Sequence, residues 1–183
     1  RNPLPRHTMP GPIDTGARGE GRTDRDTLPV ESTDSGVDHS HLDFVRPGSD
    51  DPKAPERPVF LIAHMGAKPR PFAQLVLPLT QGAVQLADAR GFTGVAFDAR
   101  GSGRYDLLFD SYAINDDDWF RTGFEAGEVR HTFHIPFSAF ASRDAKAQLD
   151  LTKLRALIVR LEGKPGGKAW LQLDNIRFYR ERA

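Results

Sequence analysis

The chain has no cysteine among its 183 residues, which excludes disulfide bridges, thiolate zinc sites and a cysteine nucleophile. It also has no charge excess, because Lys+Arg and Asp+Glu each number 25. A neutral chain of this kind gives no indication of a nucleic-acid partner or an anionic membrane surface. No apolar run approaches the ~18 residues that a membrane-spanning helix needs. The 38% of hydrophobic residues suffices for one modest core, so we expect one domain with extensions.

The first 35 residues lack hydrophobic periodicity and are rich in Pro, Gly, Arg, Asp and Thr, a composition typical of linkers. We therefore predict an extended arm or linker over 1–35 and a β-sandwich domain over 36–183. A polar segment of this length rarely becomes ordered unless it docks on its own domain or on a partner, and we expect the arm to join the sandwich to another domain or chain. Because the chain begins with Arg1 rather than Met, we also expect it to be a fragment of a longer polypeptide.

After residue 39, short apolar runs recur between Gly- and Pro-containing turns, and no long amphipathic helix is evident. This pattern predicts an all-β fold, an antiparallel β-sandwich, and the long connections favour a jelly roll over a simple meander. The main predicted strands are 39–45, 59–65, 72–79, 129–136, 157–161 and 168–180.

The stretch 91–111 carries the strongest local signal. Apolar residues alternate on both sides of Gly101-Ser102-Gly103, with Phe97 before the glycines and Leu107 and Phe109 after them. Period two interrupted by Gly-x-Gly predicts a β-hairpin. The glycines precede a strand and not a helix, so they are not a phosphate-binding loop.

The final predicted strand contains a change of phase. Leu171 and Leu173 share one parity, whereas Ile176 and Phe178 share the other. A β-bulge between the two pairs, at residues 174–175, would place all four side chains in the core. The alternative is a strand buried on both faces.

Two groups of residues have side chains suited to binding. On a strand, His39, His41 and Asp43 would point to one face, where two imidazoles could chelate a divalent metal. The alternative is a histidine pair at the start of a strand with partly exposed rings.

The second group is aromatic: Tyr112, Trp119 and Phe120, followed by Arg121. Exposed aromatic rings stack on sugar rings while a neighbouring Arg bonds the hydroxyls, so these residues are candidate glycan ligands. The alternative is that the aromatic side chains cap the core or dock on another domain.

Three segments carry a resemblance to a known family: residues 100–105, 135–140 and 171–176. They resemble the complex I intermediate-associated protein family and related jelly-roll modules of the galactose-binding-like superfamily. The resemblance implies a non-catalytic module, attached in bacteria to secreted or periplasmic enzymes that include amidohydrolase-like hydrolases. It therefore favours a periplasmic or secreted location. In similar carbohydrate-binding modules an Asp of the closing strand ligates a structural calcium, which implies that role for Asp174.

No nucleophile with a supporting base is evident, so we expect no catalytic activity from this chain alone. No cofactor is expected apart from a structural calcium or another divalent metal. We expect a docking module of a larger, hydrolytic protein. Two alternatives remain open. One is a carbohydrate-binding module with a glycan partner, and the other is a processed C-terminal chain that shapes the cleft of an amidohydrolase-like enzyme.

Phe97→Ala and His41→Ala test the predicted core face. Loss of a fully buried Phe should lower the free energy of unfolding by about 3–5 kcal/mol. Loss of an exposed His should lower it by under ~1 kcal/mol. Urea denaturation of both variants measures the two values, and the reverse order would contradict the assignment of faces.

Overall fold

The computed structural model describes residues 9–19, 21–46, 58–82, 85–111, 119–143 and 147–181. Within these ranges the chain forms eleven strands and one 3-10 turn, Phe137–Ala139. No helix in the described part is long and apolar enough to span a membrane. The strands are β1 Pro12–Asp14, β2 Val30–Thr33, β3 His41–Val45, β4 Val59–His64, β5 Phe72–Pro78, β6 Gly94–Gly101, β7 Gly103–Ser111, β8 Phe120–Ala126, β9 His131–Pro136, β10 Leu154–Glu162 and β11 Lys168–Tyr179.

The strands form two antiparallel sheets, which confirms the predicted all-β sandwich. Sheet A has the order β3-β4-β11-β6-β9, and β1 also pairs with β11. Sheet B has the order β2-β5-β10-β7-β8. Alternate side chains of both sheets meet in one core, where Phe97 is 1% exposed. Because each strand buries every second residue, each sheet keeps a second, outer face.

The N-terminal stretch contributes to both sheets. β1 pairs with Arg177 and Ile176 of β11, and β2 pairs along β5 in sheet B. Ile13 is fully buried. The described residues of 1–35 therefore pack against the sandwich of this chain, although their sequence has no apolar period. Contact of this stretch with another chain or domain remains a prediction.

The predicted hairpin at 91–111 is wrong. β6 lies in sheet A and β7 in sheet B, so Gly101-Ser102-Gly103 carries the chain across the sandwich. Strands that face each other across a core show the same alternation as strands paired in one sheet, so periodicity alone does not separate the two cases.

A buried tyrosine fixes this crossing. The Tyr105 hydroxyl accepts a hydrogen bond from the Ser102 backbone N–H (2.9 Å) and donates one to the Trp170 carbonyl (2.5 Å). A Cβ at position 101 would lie 2.4 Å from the Tyr105 hydroxyl oxygen, so only glycine fits there. The crossing is thereby tied to β11 of sheet A.

The predicted bulge in the closing strand is confirmed. The pairing of β11 with β6 shifts between Asp174 and Arg177, and Asn175 has a φ of 51°. The four apolar residues on either side of the shift are all buried: Leu171, Leu173, Ile176 and Phe178.

Tyr105→Phe tests the crossing. The substitution keeps the ring but removes both hydrogen bonds, so it should lower the free energy of unfolding by about 1–2 kcal/mol. Tyr179→Phe is the matched control, because Tyr179 is only half-buried and its ring packs edge-on against His134. Chemical denaturation measures both, and an equal effect of the two substitutions would contradict the assigned role.

Candidate functional site

The two outer faces differ in the way they present the two tryptophans of the chain. Trp119 directly precedes β8 and packs on the outer face of sheet B, where it contacts a small cluster of Leu108, Ala156 and Ile158. Trp170 lies within β11, at the centre of sheet A. The surroundings of each indole decide which face can hold a ligand.

A pocket of about 540 Å³ opens beside Trp119. One rim is formed by the segment after the 3-10 turn, because Ala141 exchanges two backbone hydrogen bonds with Arg121, each of 3.0 Å. The pocket thus lies between this rim and the outer face of sheet B. Its described lining residues are Ser32, Phe72, Gln74, Leu108, Trp119, Arg121, Ala141, Ser142, Arg143 and Arg160.

An apolar row of residues crosses sheet B beneath the indole. Ile158 of β10 is paired with Val76 of β5 on one side and with Leu108 of β7 on the other. Ile158 and Leu108 are 1% and 2% exposed although they point away from the main core. Trp119 packs on this row and covers part of it.

A polar row runs parallel to it, two residues along each strand. Gln74 of β5 lies between Ser32 of β2 and Arg160 of β10, and Arg160 is also paired with Asp106 of β7. The Arg160 guanidinium stacks on the Phe72 ring at 3.8 Å from the ring centroid. The pocket therefore combines an apolar strip with a strip of hydrogen-bonding groups.

The charges around the polar row are balanced. Arg121 forms ion pairs with Asp106 and, at 3.4 Å, with Glu162, and Glu162 Oε1 also lies 3.4 Å from Arg160 Nε. Burial lowers the pKa of Arg160, an effect that the nearby Glu162 carboxylate opposes. Burial would also lower the pKa of Arg121, but its hydrogen bond to Asp106 raises it overall. Two guanidinium groups thus face two carboxylates, and Arg143 brings a third guanidinium to the pocket lining.

The structure separates the four predicted glycan ligands. Trp119 and Arg121 both line the pocket. Phe120 is 2% exposed and points into the core, so its side chain is not available to a ligand. It faces inward because β8, which we did not predict, alternates Phe120, Thr122 and Phe124 toward the core. Tyr112 lies outside the described residues.

Sequence reasoning did not identify Phe72, Gln74 and Arg160 as site residues. A signal was present, since Gln74 is the polar residue of the otherwise apolar β5 and Arg160 interrupts the apolar run from Ala156 to Leu161 in β10. An outward-facing polar residue in a central strand is compatible both with a binding face and with simple exposure to solvent. That Gln74 and Arg160 are neighbours follows only from the order of the strands in the sheet.

The outer face of sheet A presents its tryptophan differently. Trp170 stacks against Phe60 of β4, with the ring centroids 5.8 Å apart and an interplanar angle of 11°. From the strand on the opposite side, the Arg100 guanidinium lies 5.3 Å from the Trp170 ring centroid, and its Nε donates to Gln172 Oε1 at 2.6 Å. The half-buried indole is therefore flanked by a side chain on each side, unlike that of Trp119 beside its pocket.

The predicted metal ligands do not come together. His41 and Asp43 lie in β3 with His41 Nε2 2.8 Å from Asp43 Oδ1, whereas His39 precedes the strand and its Nδ1 is 2.7 Å from the Ser40 carbonyl. His64 of β4 also approaches Asp43, at 3.3 Å. Asp174 lies two strands away, in β11. Across the described ranges, no three His, Cys, Asp or Glu side chains form a group that could hold a metal ion.

The fit of a structural calcium at Asp174 rests on its two carboxylate oxygens. Asp174 Oδ2 is 2.8 Å from Arg130, while the buried Oδ1 has no hydrogen-bond partner. One free oxygen beside a guanidinium group is a poor start for a cation that takes six to eight oxygen ligands. The described surroundings of Asp174 do not fit calcium, and a divalent metal in this chain remains a prediction.

Solved structures with a similar architecture include carbohydrate-binding modules. The family 11 carbohydrate-binding module of the cellulosomal cellulase Lic26A-Cel5E of Clostridium thermocellum superimposes with a TM-score of 0.65 at 13% identity, covering 96% of each chain. A family 11 carbohydrate-binding module from Clostridium thermocellum in complex with a β-1,3-1,4-mixed-linked tetrasaccharide also has a TM-score of 0.65 at 13% identity, covering 94% of this chain and 98% of that one.

Two further similarities extend the comparison. The family 30 module of the Clostridium thermocellum cellulase Cel9D-Cel44B has a TM-score of 0.53 at 12% identity, covering 82% of this chain and 87% of that one. An exo-β-agarase has a TM-score of 0.55 at 10% identity, covering 94% of this chain but 26% of the agarase. No family model and no curated protein matches the chain.

These similarities show the fold, an antiparallel β-sandwich of two sheets, as the sequence predicted. They give no support to the more specific expectations of a complex I intermediate-associated protein or an amidohydrolase-like hydrolase.

The titration of His41 tests the geometry at the edge of sheet A. The hydrogen bond to Asp43 raises the pKa of His41, and the charge of Glu31 adds to the effect. Its midpoint in an NMR titration should therefore lie above ~6.5, and Asp43→Asn should lower it. Because the pKa of His41 is higher in the folded state than in the unfolded state, protonated His41 stabilises the fold at low pH. This stabilisation is fully present below the unfolded-state pKa and is lost as the pH rises through the folded-state pKa.

The control for this titration is Asp88→Asn, which removes a surface carboxylate paired with Arg90. It should leave the His41 midpoint unchanged. A midpoint that Asp43→Asn does not move would contradict the assigned contact.

Proposed function

We propose that the chain is a carbohydrate-binding module whose ligand lies on the outer face of sheet B. The observation that carries this proposal is the pocket in which the half-buried Trp119 stands beside a row of polar side chains. The known carbohydrate-binding modules of the same fold support it, among them the one solved with a tetrasaccharide.

The chemistry of a sugar ring matches the two rows. A pyranose has apolar C–H faces and a rim of hydroxyl groups. Its apolar face would pack on Trp119, while Gln74, Arg160 and Arg121 would bond the hydroxyls from the side. A pocket with both apolar and hydrogen-bonding walls suits a ligand of this mixed character better than it suits a purely apolar ligand.

A role as an accessory module of a larger hydrolytic protein is a further part of the proposal. It is supported by the exo-β-agarase, because the region similar to this chain makes up only 26% of that longer enzyme. In such a protein the module would hold the polysaccharide near a catalytic domain, with no reaction of its own. Docking through residues 1–35, a role in an amidohydrolase-like cleft and a secreted or periplasmic location remain predictions.

Trp119→Ala tests the proposed site. Loss of the indole should weaken binding of mixed-linked β-glucan or agarose oligosaccharides by at least about tenfold, since buried aromatic contacts dominate binding energies of this kind. Isothermal titration calorimetry with wild type and variant measures the change.

Trp170→Ala is the matched control, because it removes an indole of the same size from the opposite sheet. It should leave the affinity unchanged, and thermal melting of both variants shows whether they remain folded. The proposed site would be contradicted if both variants lost the same amount of affinity. It would also be contradicted if the wild type bound neither the mixed-linked β-glucan nor the agarose oligosaccharides.

A further inference from the structure

We propose that Gln74 and Arg160 act together as the specificity-determining pair, which recognises a hydroxyl group of an uncharged glycan. This inference rests on the proposed function, because it assigns the ligand class and the recognising atoms within the same pocket.

The two residues are direct neighbours across the sheet. Gln74 of β5 is paired in register with Arg160 of β10, and both line the pocket. Facing residues in adjacent antiparallel strands have Cβ atoms about 5 Å apart. One group of a ligand in the pocket can therefore contact both side chains.

Both side chains carry a buried polar atom without a hydrogen-bond partner: Gln74 Oε1 and Arg160 Nε. Gln74 is 2% exposed, and Arg160 Nε lies 3.4 Å from Glu162 Oε1 without a hydrogen bond between them. An unpaired buried polar atom destabilises the free protein, because the atom has lost its hydrogen bonds to water without gaining others. The adjacent row holds Val76 and Ile158 at equivalent positions, so apolar side chains are accommodated on this face. A polar pair here is best explained by a ligand that supplies the missing partners.

The unpaired atoms are complementary in type, since Gln74 Oε1 accepts a hydrogen bond and Arg160 Nε donates one. A hydroxyl group donates and accepts at once, so a single sugar hydroxyl, or two adjacent ones, satisfies both atoms. Both atoms are buried in the free protein, so the proposed contact requires the Gln74 amide to rotate about its terminal torsion when the ligand binds.

The unpaired acceptor also bears on the charge of the ligand. A carboxylate or sulfate of an acidic glycan can only accept, so it would leave Gln74 Oε1 unpaired. The guanidinium groups of Arg121 and Arg160 are paired with Asp106 and Glu162, and a third guanidinium, that of Arg143, also lines the pocket. The preference for an uncharged glycan over a polyuronate or a sulfated polysaccharide therefore rests on the unpaired acceptor of Gln74, which needs a hydrogen-bond donor.

The test compares Gln74→Met with Gln172→Met. Gln172 lies on the outer face of sheet A, where its Oε1 accepts from Arg100 at 2.6 Å. Gln74→Met should weaken binding about tenfold without lowering the melting temperature, because it removes an acceptor that has no partner in the free protein. Gln172→Met should do the opposite, lowering the melting temperature and leaving binding unchanged. The probes are mixed-linked β-glucan and agarose oligosaccharides, with oligogalacturonate as the acidic glycan.

Each outcome separates the inference from the proposed function. Binding of an uncharged probe that Gln74→Met weakens and Gln172→Met does not would support the pair. Equal binding by wild type and Gln74→Met, or a preference for oligogalacturonate, would overturn the inference while leaving carbohydrate binding intact. Binding of no probe by the wild type would overturn both.

Discussion

The passage of the chain from one sheet to the other between β6 and β7 determines what each face of the sandwich can do. Tyr105 holds this crossing with two hydrogen bonds, one to the crossing itself and one to β11. Because β6 joins sheet A and β7 joins sheet B, these two consecutive strands lie in opposite layers of the sandwich. Their outward residues consequently belong to opposite surfaces of the molecule.

The outer faces of sheets A and B carry similar residues in different surroundings. On sheet A the indole of Trp170 is enclosed between Phe60 and Arg100, and Gln172 is hydrogen bonded. On sheet B the indole of Trp119 borders a pocket, and the equivalent polar residues, Gln74 and Arg160, keep atoms without partners. Sheet A also carries such an atom, the buried Asp174 Oδ1, whose neighbouring carboxylate oxygen pairs with Arg130. The unpaired atoms of sheet B belong instead to residues that line a pocket, where a ligand could supply the missing partners. This contrast, and not the presence of aromatic residues alone, identifies sheet B as the candidate binding face.

The sequence predicts those features that depend on local period. The sandwich, the closing strand and its bulge at Asp174 follow from alternation, because a strand with one buried face must repeat every two residues. The strands β1 and β2 could not be predicted in this way, because segments of three or four residues with few apolar side chains show no detectable alternation. The crossing between β6 and β7 could not be predicted either, because alternation does not specify which strands are neighbours in a sheet. The polar row of Gln74 and Arg160 depends on that same non-local order, so only part of the site, Trp119 and Arg121, could be predicted.

The account depends most on the claim that a glycan occupies sheet B and leaves sheet A free. The two tryptophans make this claim directly measurable, because the indole N–H groups of Trp119 and Trp170 give two signals in a ¹⁵N-labelled NMR spectrum. Titration with a mixed-linked β-glucan or agarose oligosaccharide should shift the Trp119 signal and leave the Trp170 signal in place. A shift of Trp170 alone, or no shift of either signal at saturating glycan, would contradict the account.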